Sequence, residues 1–158
     1  MTEVLFYHLK GQTPEQVLPT LLQKSLERGW RVVVQASSDE RVDALDAHLW
    51  TWRDDSFLPH GTSRDAEAAQ QPIVLTASAD NPNGAAVRFL VDGADMTDDL
   101  TADAKADAKA YERIVMLFDG DDPDALEAAR ARWTKAKASG AEVTYWRADE
   151  NGRWQRQG

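Results

Sequence analysis

A chain of 158 residues, 42% hydrophobic and 28% charged with six tryptophans, can bury a core as one domain and is too apolar to be disordered. It has no cysteine, which excludes a disulfide framework, a Cys-ligated zinc or iron–sulfur centre and a cysteine nucleophile. The formal net charge of −9 argues against a protein whose main task is gripping nucleic-acid phosphates, which calls for a basic face.

Residues 4–9 (VLFYHL) predict a strand, ended by a turn over 11–14. Pro14 and Glu15 suit the first turn of a helix to about Arg28, with Val17, Leu18, Leu21, Leu22 and Leu26 at helical spacing and Gly29 as its stop. Pro19 either kinks that helix or marks its true start. Residues 30–36 form a nearly continuous apolar run, as a central parallel strand requires. Ser37 with Glu40 reads as a capping box opening a helix over 39–50, with Val42, Leu45, Leu49 and Trp50 on one face.

Residues 52–61 read as a loop, followed by a polar stretch to Gln71. Short strands are expected at 73–76 and 87–91, with a turn at Asn81-Pro82-Asn83-Gly84 between them. Residues 97–110 have no apolar stripe and read as exposed or weakly helical. A buried strand follows at 114–118, then a helix over 123–139 whose early acids and late bases complement its dipole. Residues 142–147 form the next strand, and Asn151-Gly152 a hairpin turn into 153–156. The rhythm is that of a single α/β domain over 1–158, Rossmann-like, with a mostly parallel sheet, helices on both faces and a C-terminal β-hairpin.

Enzyme signatures are missing. There is no phosphate loop, no nucleophile elbow, and only Gly11 where a dinucleotide-binding fold has its glycine loop. His8, His48 and His60 lack partners at metal-ligand spacing, so neither metal nor cofactor is expected. Asp54, Ser56 and His60 lie close in one loop and define the alternative, a small hydrolase. No apolar stretch nears the roughly 18 residues of a membrane helix, and the first residues are not a signal peptide, so a soluble cytoplasmic protein is expected.

Charge and aromatics are more informative. Residues 92–127 alone carry −9, while 128–158 carry +4, a local basic segment compatible with a small acidic partner. There Arg130 and Trp133, three apart on a helix, share a face, with Arg132, Lys135 and Lys137 around them. Semi-exposed Trp beside Arg is the composition of a binding hot spot. A second alternative, a direct single-stranded-DNA binder, needs aromatics over a basic groove.

Together VLFYHL, GWRVVVQA, LDAHLWTWRDDSFLPHG, QPIVLT, NPNGA, RFLVDGA, YERIVMLFDGDD and EVTYWRADENGRW resemble the chi subunit family of bacterial DNA polymerase III, in its alphaproteobacterial form, over almost the whole chain. The resemblance implies a Rossmann-like fold without dinucleotide binding and a non-catalytic role as a clamp-loader accessory subunit. It also implies two kinds of partner: the acidic, phenylalanine-ended tail of single-stranded-DNA-binding protein, and clamp-loader subunits, in many bacteria through a small protein called psi. Contact with nucleic acid would then be mainly indirect. Residue by residue, the family's tail-binding positions fall on Trp50, Phe57, Arg130 and Trp133, with Trp133 where many members have Tyr. Lys135 and Lys137 would steer the tail's aspartates, and the four site residues are expected to converge.

Overall fold

The computed structural model of the chain describes residues 3–51, 59–78, 82–91, 94, 111–138, 142–148 and 153–157. Its strands are β1 (Glu3–Leu9), β2 (Val32–Gln35), β3 (His60–Thr62), β4 (Ile73–Thr76), β5 (Val87–Leu90), β6 (Arg113–Asp119), β7 (Glu142–Ala148) and β8 (Trp154–Arg156). They form one sheet in the order β3-β4-β2-β5-β6-β1-β7-β8. Every pairing is parallel except the last, in which β8 runs antiparallel to β7. The apolar run of β2 does lie inside the sheet, between β4 and β5, with all four residues buried. The Asn151-Gly152 turn and the segment 97–110 lie outside the described residues.

Helix α1 (Pro14–Glu27) and helix α2 (Asp39–Trp50) cover one face, where Leu18, Leu22, Val42, Leu45 and Leu49 pack on Leu5, Val32, Val34 and Ile73. Helix α3 (Pro123–Ala138) covers the other, setting Ala129 and Ala136 against Val4, Phe6, Ile114 and Val143. Right-handed crossovers from neighbouring strands in opposite directions produce this two-faced arrangement.

Local chemistry explains the helix boundaries. Thr13 caps α1 with a complete capping box: its side chain accepts from the Gln16 N–H, and the Gln16 side chain accepts from the Thr13 N–H. Pro19 neither starts nor breaks the helix. Lacking an N–H, it leaves the Glu15 carbonyl without its i+4 donor. His48 of α2 supplies one, Nε2 donating to that oxygen at 2.7 Å. The α2 cap is Ser38 rather than Ser37, because Ala36 is still bonded into the sheet through its N–H to Thr76 O at 2.9 Å. Ser38, in extended conformation, accepts from the Arg41 N–H. Strand β3 occupies a segment expected to be loop: His60-Gly61-Thr62 has no apolar run, and pairing with β4 makes it a strand.

Asn83 is buried and ties the loop before β5 to the sheet, its Nδ2 donating to Val32 O at 3.1 Å and Gln71 O at 2.9 Å. Gly84 beside it has φ +62, a left-handed conformation that costs glycine little. Arg88 of β5 is fully buried. Its guanidinium donates to Gln35 Oε1 (3.1 and 2.5 Å), Ser78 O (2.6 Å) and the Tyr111 hydroxyl (3.3 Å). Truncation would leave a cavity and strip buried acceptors of their donor, so Arg88→Ala should lower stability by roughly 3–5 kcal/mol. Arg88→Met, which refills the space, should lose less; denaturant unfolding of the two variants checks this.

Candidate binding surface

On α3, Arg130, Trp133 and Lys137 follow one another at helical spacing along one stripe. Arg130 and Lys137 are exposed and Trp133 is half-buried. The indole is held edge-on between two rings, Phe6 of β1 at 5.6 Å and Tyr145 of β7 at 5.5 Å. Lys137 Nζ lies 4.9 Å from the Trp133 ring centroid, a cation–π contact. The result is a rigid aromatic platform with a cation at each end. Lys135, two residues from Trp133, is turned about 200° round the helix and does not share that face. Arg132 points away as well, donating to Ala94 O at 3.0 Å.

Of the residues expected to converge, Arg130 and Trp133 come together on α3, but Trp50 does not join them. Trp50, 56% exposed, ends α2 on the opposite face, and its ring lies 4.8 Å from His60 on the edge strand β3. Five strand spacings separate β3 from β1, roughly 24 Å. The cause is topological: α2 returns the chain from β2 toward one edge, while α3 returns it from β6 toward the other. Phe57 lies outside the described residues, as do Asp54 and Ser56. His60 is buried, with Nε2 2.9 Å from Asp46 Oδ1. Among the described residues, no group of three or more His, Asp or Glu side chains could hold a metal ion.

The crevice where dinucleotide-binding folds hold their ligand is lined by acids. The Gly11 N–H, after β1, donates to Asp121 Oδ2 at 2.9 Å. At the start of α3, Asp122 Oδ1 accepts from the Asp124 N–H at 3.0 Å. Carboxylates thus take the backbone donors that a phosphate would need. Around the neighbouring cleft of about 530 Å³ stand Glu15, Asp119, Asp122 and Asp124.

Sequence reasoning passed over two residues that build the surface under Trp133. Tyr145 shares the α3 face of β7 with Val143, and its hydroxyl lies 2.6 Å from His8 Nδ1 of β1. Only their alternation on adjacent strands, with the same parity as Phe6, signalled this. Burial, reinforced by Arg147, Lys10 and Arg130 against the opposing Asp121, lowers the His8 pKa. Burial also raises that of Tyr145, opposed by Arg147 and Arg130. In the neutral tautomer with its proton on Nε2, His8 accepts the tyrosine O–H. A Cβ on Gly120 would stand 1.9 Å from His8 Nε2, so any larger residue there has to push the imidazole aside.

Because the folded state disfavours imidazolium, His8 contributes its full stability above the unfolded histidine pKa of about 6.5 and loses it as pH falls below that value. Wild type should therefore lose more thermal stability than His8→Asn between about pH 7.5 and 5.5. Gly120→Ala should displace the ring and destabilise the protein by about 1–3 kcal/mol at neutral pH.

Comparison with known proteins gives the family. The family described as DNA polymerase III chi subunit, HolC, matches residues 1–144. A probable DNA polymerase III subunit chi of Rickettsia prowazekii is 27% identical over 119 residues, 75% of this chain and 71% of that protein. DNA polymerase III subunit chi of Pseudomonas aeruginosa is 31% identical over 78 residues, 48% of this chain and 54% of that protein. The match over nearly the whole sheet, together with a Rossmann-like core whose crevice is lined by carboxylates, has one reading: the chain belongs to the DNA polymerase III chi subunit family, accessory subunits of that replication polymerase.

Proposed function

We propose that this protein is a non-catalytic adaptor that links the clamp loader to single-stranded-DNA-binding protein by holding the acidic, phenylalanine-ended tail of that partner on α3. The observation that carries the reading is the Arg130–Trp133–Lys137 stripe, with its indole fixed between Phe6 and Tyr145. A tail of this kind offers a terminal carboxylate, an aromatic ring and preceding aspartates. Arg130 forks onto the carboxylate in two bonds, as a guanidinium does and an ammonium does not. The Trp133 platform takes the ring at little entropic cost because it is already immobilised. Lys137 meets the aspartates and acts mainly on association rate and salt dependence.

Trp50 falls outside this site by its distance, and Lys135 by its helix face. The hydrolase alternative has less support, since His60 is buried against Asp46 under the Trp50 ring. As a replication subunit the protein acts in the cytoplasm, with further surfaces for clamp-loader subunits, through a psi-like protein where one exists.

Titration of a tail peptide tests the reading. Wild-type affinity should be on the order of micromolar, as expected for a short flexible peptide that is ordered on binding. Arg130→Ala and Trp133→Ala should each cost about 2–4 kcal/mol. Trp50→Ala should bind as wild type, and so should Arg64→Ala, a charge control paired with Asp43 on α2. Equal affinities across all five proteins would overturn the assignment.

A further inference from the structure

The face opposite α3 carries a second aromatic and basic surface. Helix α1 leaves β1 toward β2, so beyond β1 no helix among the described residues covers that side of the sheet. Tyr7, Trp146 and Trp154 stand there, all half-buried. Tyr7 packs 4.7 Å from the Trp154 ring and 6.4 Å from Trp146. Between these rings and α1 lies a cavity of about 200 Å³, lined by Tyr7, Trp30, Trp154, Lys24, Arg28 and Arg113. The guanidiniums of Arg28 and Arg113 each lie 5.2 Å from the Trp30 centroid, held by cation–π contact. Arg113 Nε also lies 3.6 Å from Glu3 Oε2, whereas Lys24 and Arg28 have no carboxylate at ion-pair distance among the described residues.

The charged groups lining this cavity are all basic, and Tyr7, Trp30 and Trp154 add a hydroxyl and indole N–H groups that can donate. The Tyr7 hydroxyl and the indole N–H groups of Trp30 and Trp154 make no hydrogen bond among the described residues. A ligand that satisfies them needs a flat π-face, acceptor atoms on the ring itself and a negative charge a few ångströms away. A phenylalanine side chain supplies the face without the acceptors. A nucleobase supplies both, and its phosphate supplies the charge. We infer that this cavity receives a nucleotide of single-stranded DNA, with the base against the Tyr7–Trp154 pair and the phosphate on Lys24 and Arg28. The acidic net charge does not oppose this locally, because the surplus is concentrated in residues 92–127. It does keep the interaction weak, suited to a strand already held close by another protein. The inference is independent of tail binding, which uses the other face of the sheet.

Fluorescence anisotropy of a labelled oligothymidylate of about 15 nucleotides tests it. At low salt, binding should fall in the range of roughly 10–100 µM, weakening with salt as expected for about two phosphate contacts. Trp154→Ala and the double charge reversal Lys24→Glu/Arg28→Glu should each weaken it about tenfold or more. Arg130→Ala should bind the oligonucleotide as wild type while losing the tail peptide. Lys24 and Arg28 are exposed, so the charge reversal is decisive even if Trp154→Ala loosens the hairpin. Absence of binding at low salt overturns the inference, as does binding unaltered by either variant. A charge reversal that weakens the tail peptide and not the oligonucleotide overturns it too, by making an acidic peptide the occupant.

Discussion

Strand β1 governs the molecule through its period-two alternation. It lies between β6 and β7, paired in parallel with both, so both of its edges are shielded and its two faces carry different sets of side chains. Val4, Phe6 and His8 point toward α3; Leu5 and Tyr7 point toward α1. Phe6 and His8 support the Trp133–Tyr145 platform, and Tyr7 forms part of the aromatic cavity behind it. A one-residue slip of β1 would exchange these faces and dismantle both surfaces at once. The parallel pairing on each side makes such a slip costly, because seven residues are registered against β6 and six against β7.

The same sheet shows how a fold associated with nucleotide binding takes up other work. The crevice at the strand ends keeps its shape, but its backbone donors are committed to Asp121 and Asp122. Both surfaces proposed here for recognition lie instead on a helix flank and an uncovered sheet face, where aromatics are held beside arginine and lysine. In both places the aromatic is immobilised by another ring or by a cation before any ligand arrives, which lowers the entropic cost of binding.

Polar groups in the interior are handled by pairing rather than exclusion. His48 takes the carbonyl that Pro19 leaves without a donor, and Arg88 is wrapped by Gln35, Ser78 and Tyr111. Each contact joins segments far apart in the chain and fixes how α1 sits on α2, or β5 on β2. Such bonds are expensive to leave unmade in a low-dielectric interior, so they specify one arrangement more sharply than apolar packing does.

The sequence by itself determined the α/β class, the buried central strands, the extent of α3 and the pairing of Arg130 with Trp133 on one face, since each depends on periodicity within a single segment. The chi family was legible too, from motifs spread along nearly the whole chain. The tertiary structure alone decided that Trp50 and Trp133 occupy opposite faces, because crossover direction is set by strand order, which no local pattern records. It alone turned His60-Gly61-Thr62 into a strand, kept Pro19 inside a helix and brought His8 onto Tyr145, as each relies on a partner at least thirteen residues away. It also supplied the basic groove under aromatics that the acidic composition argued against. Net charge sums over the chain, whereas a ligand meets only the charges that folding gathers around one cavity.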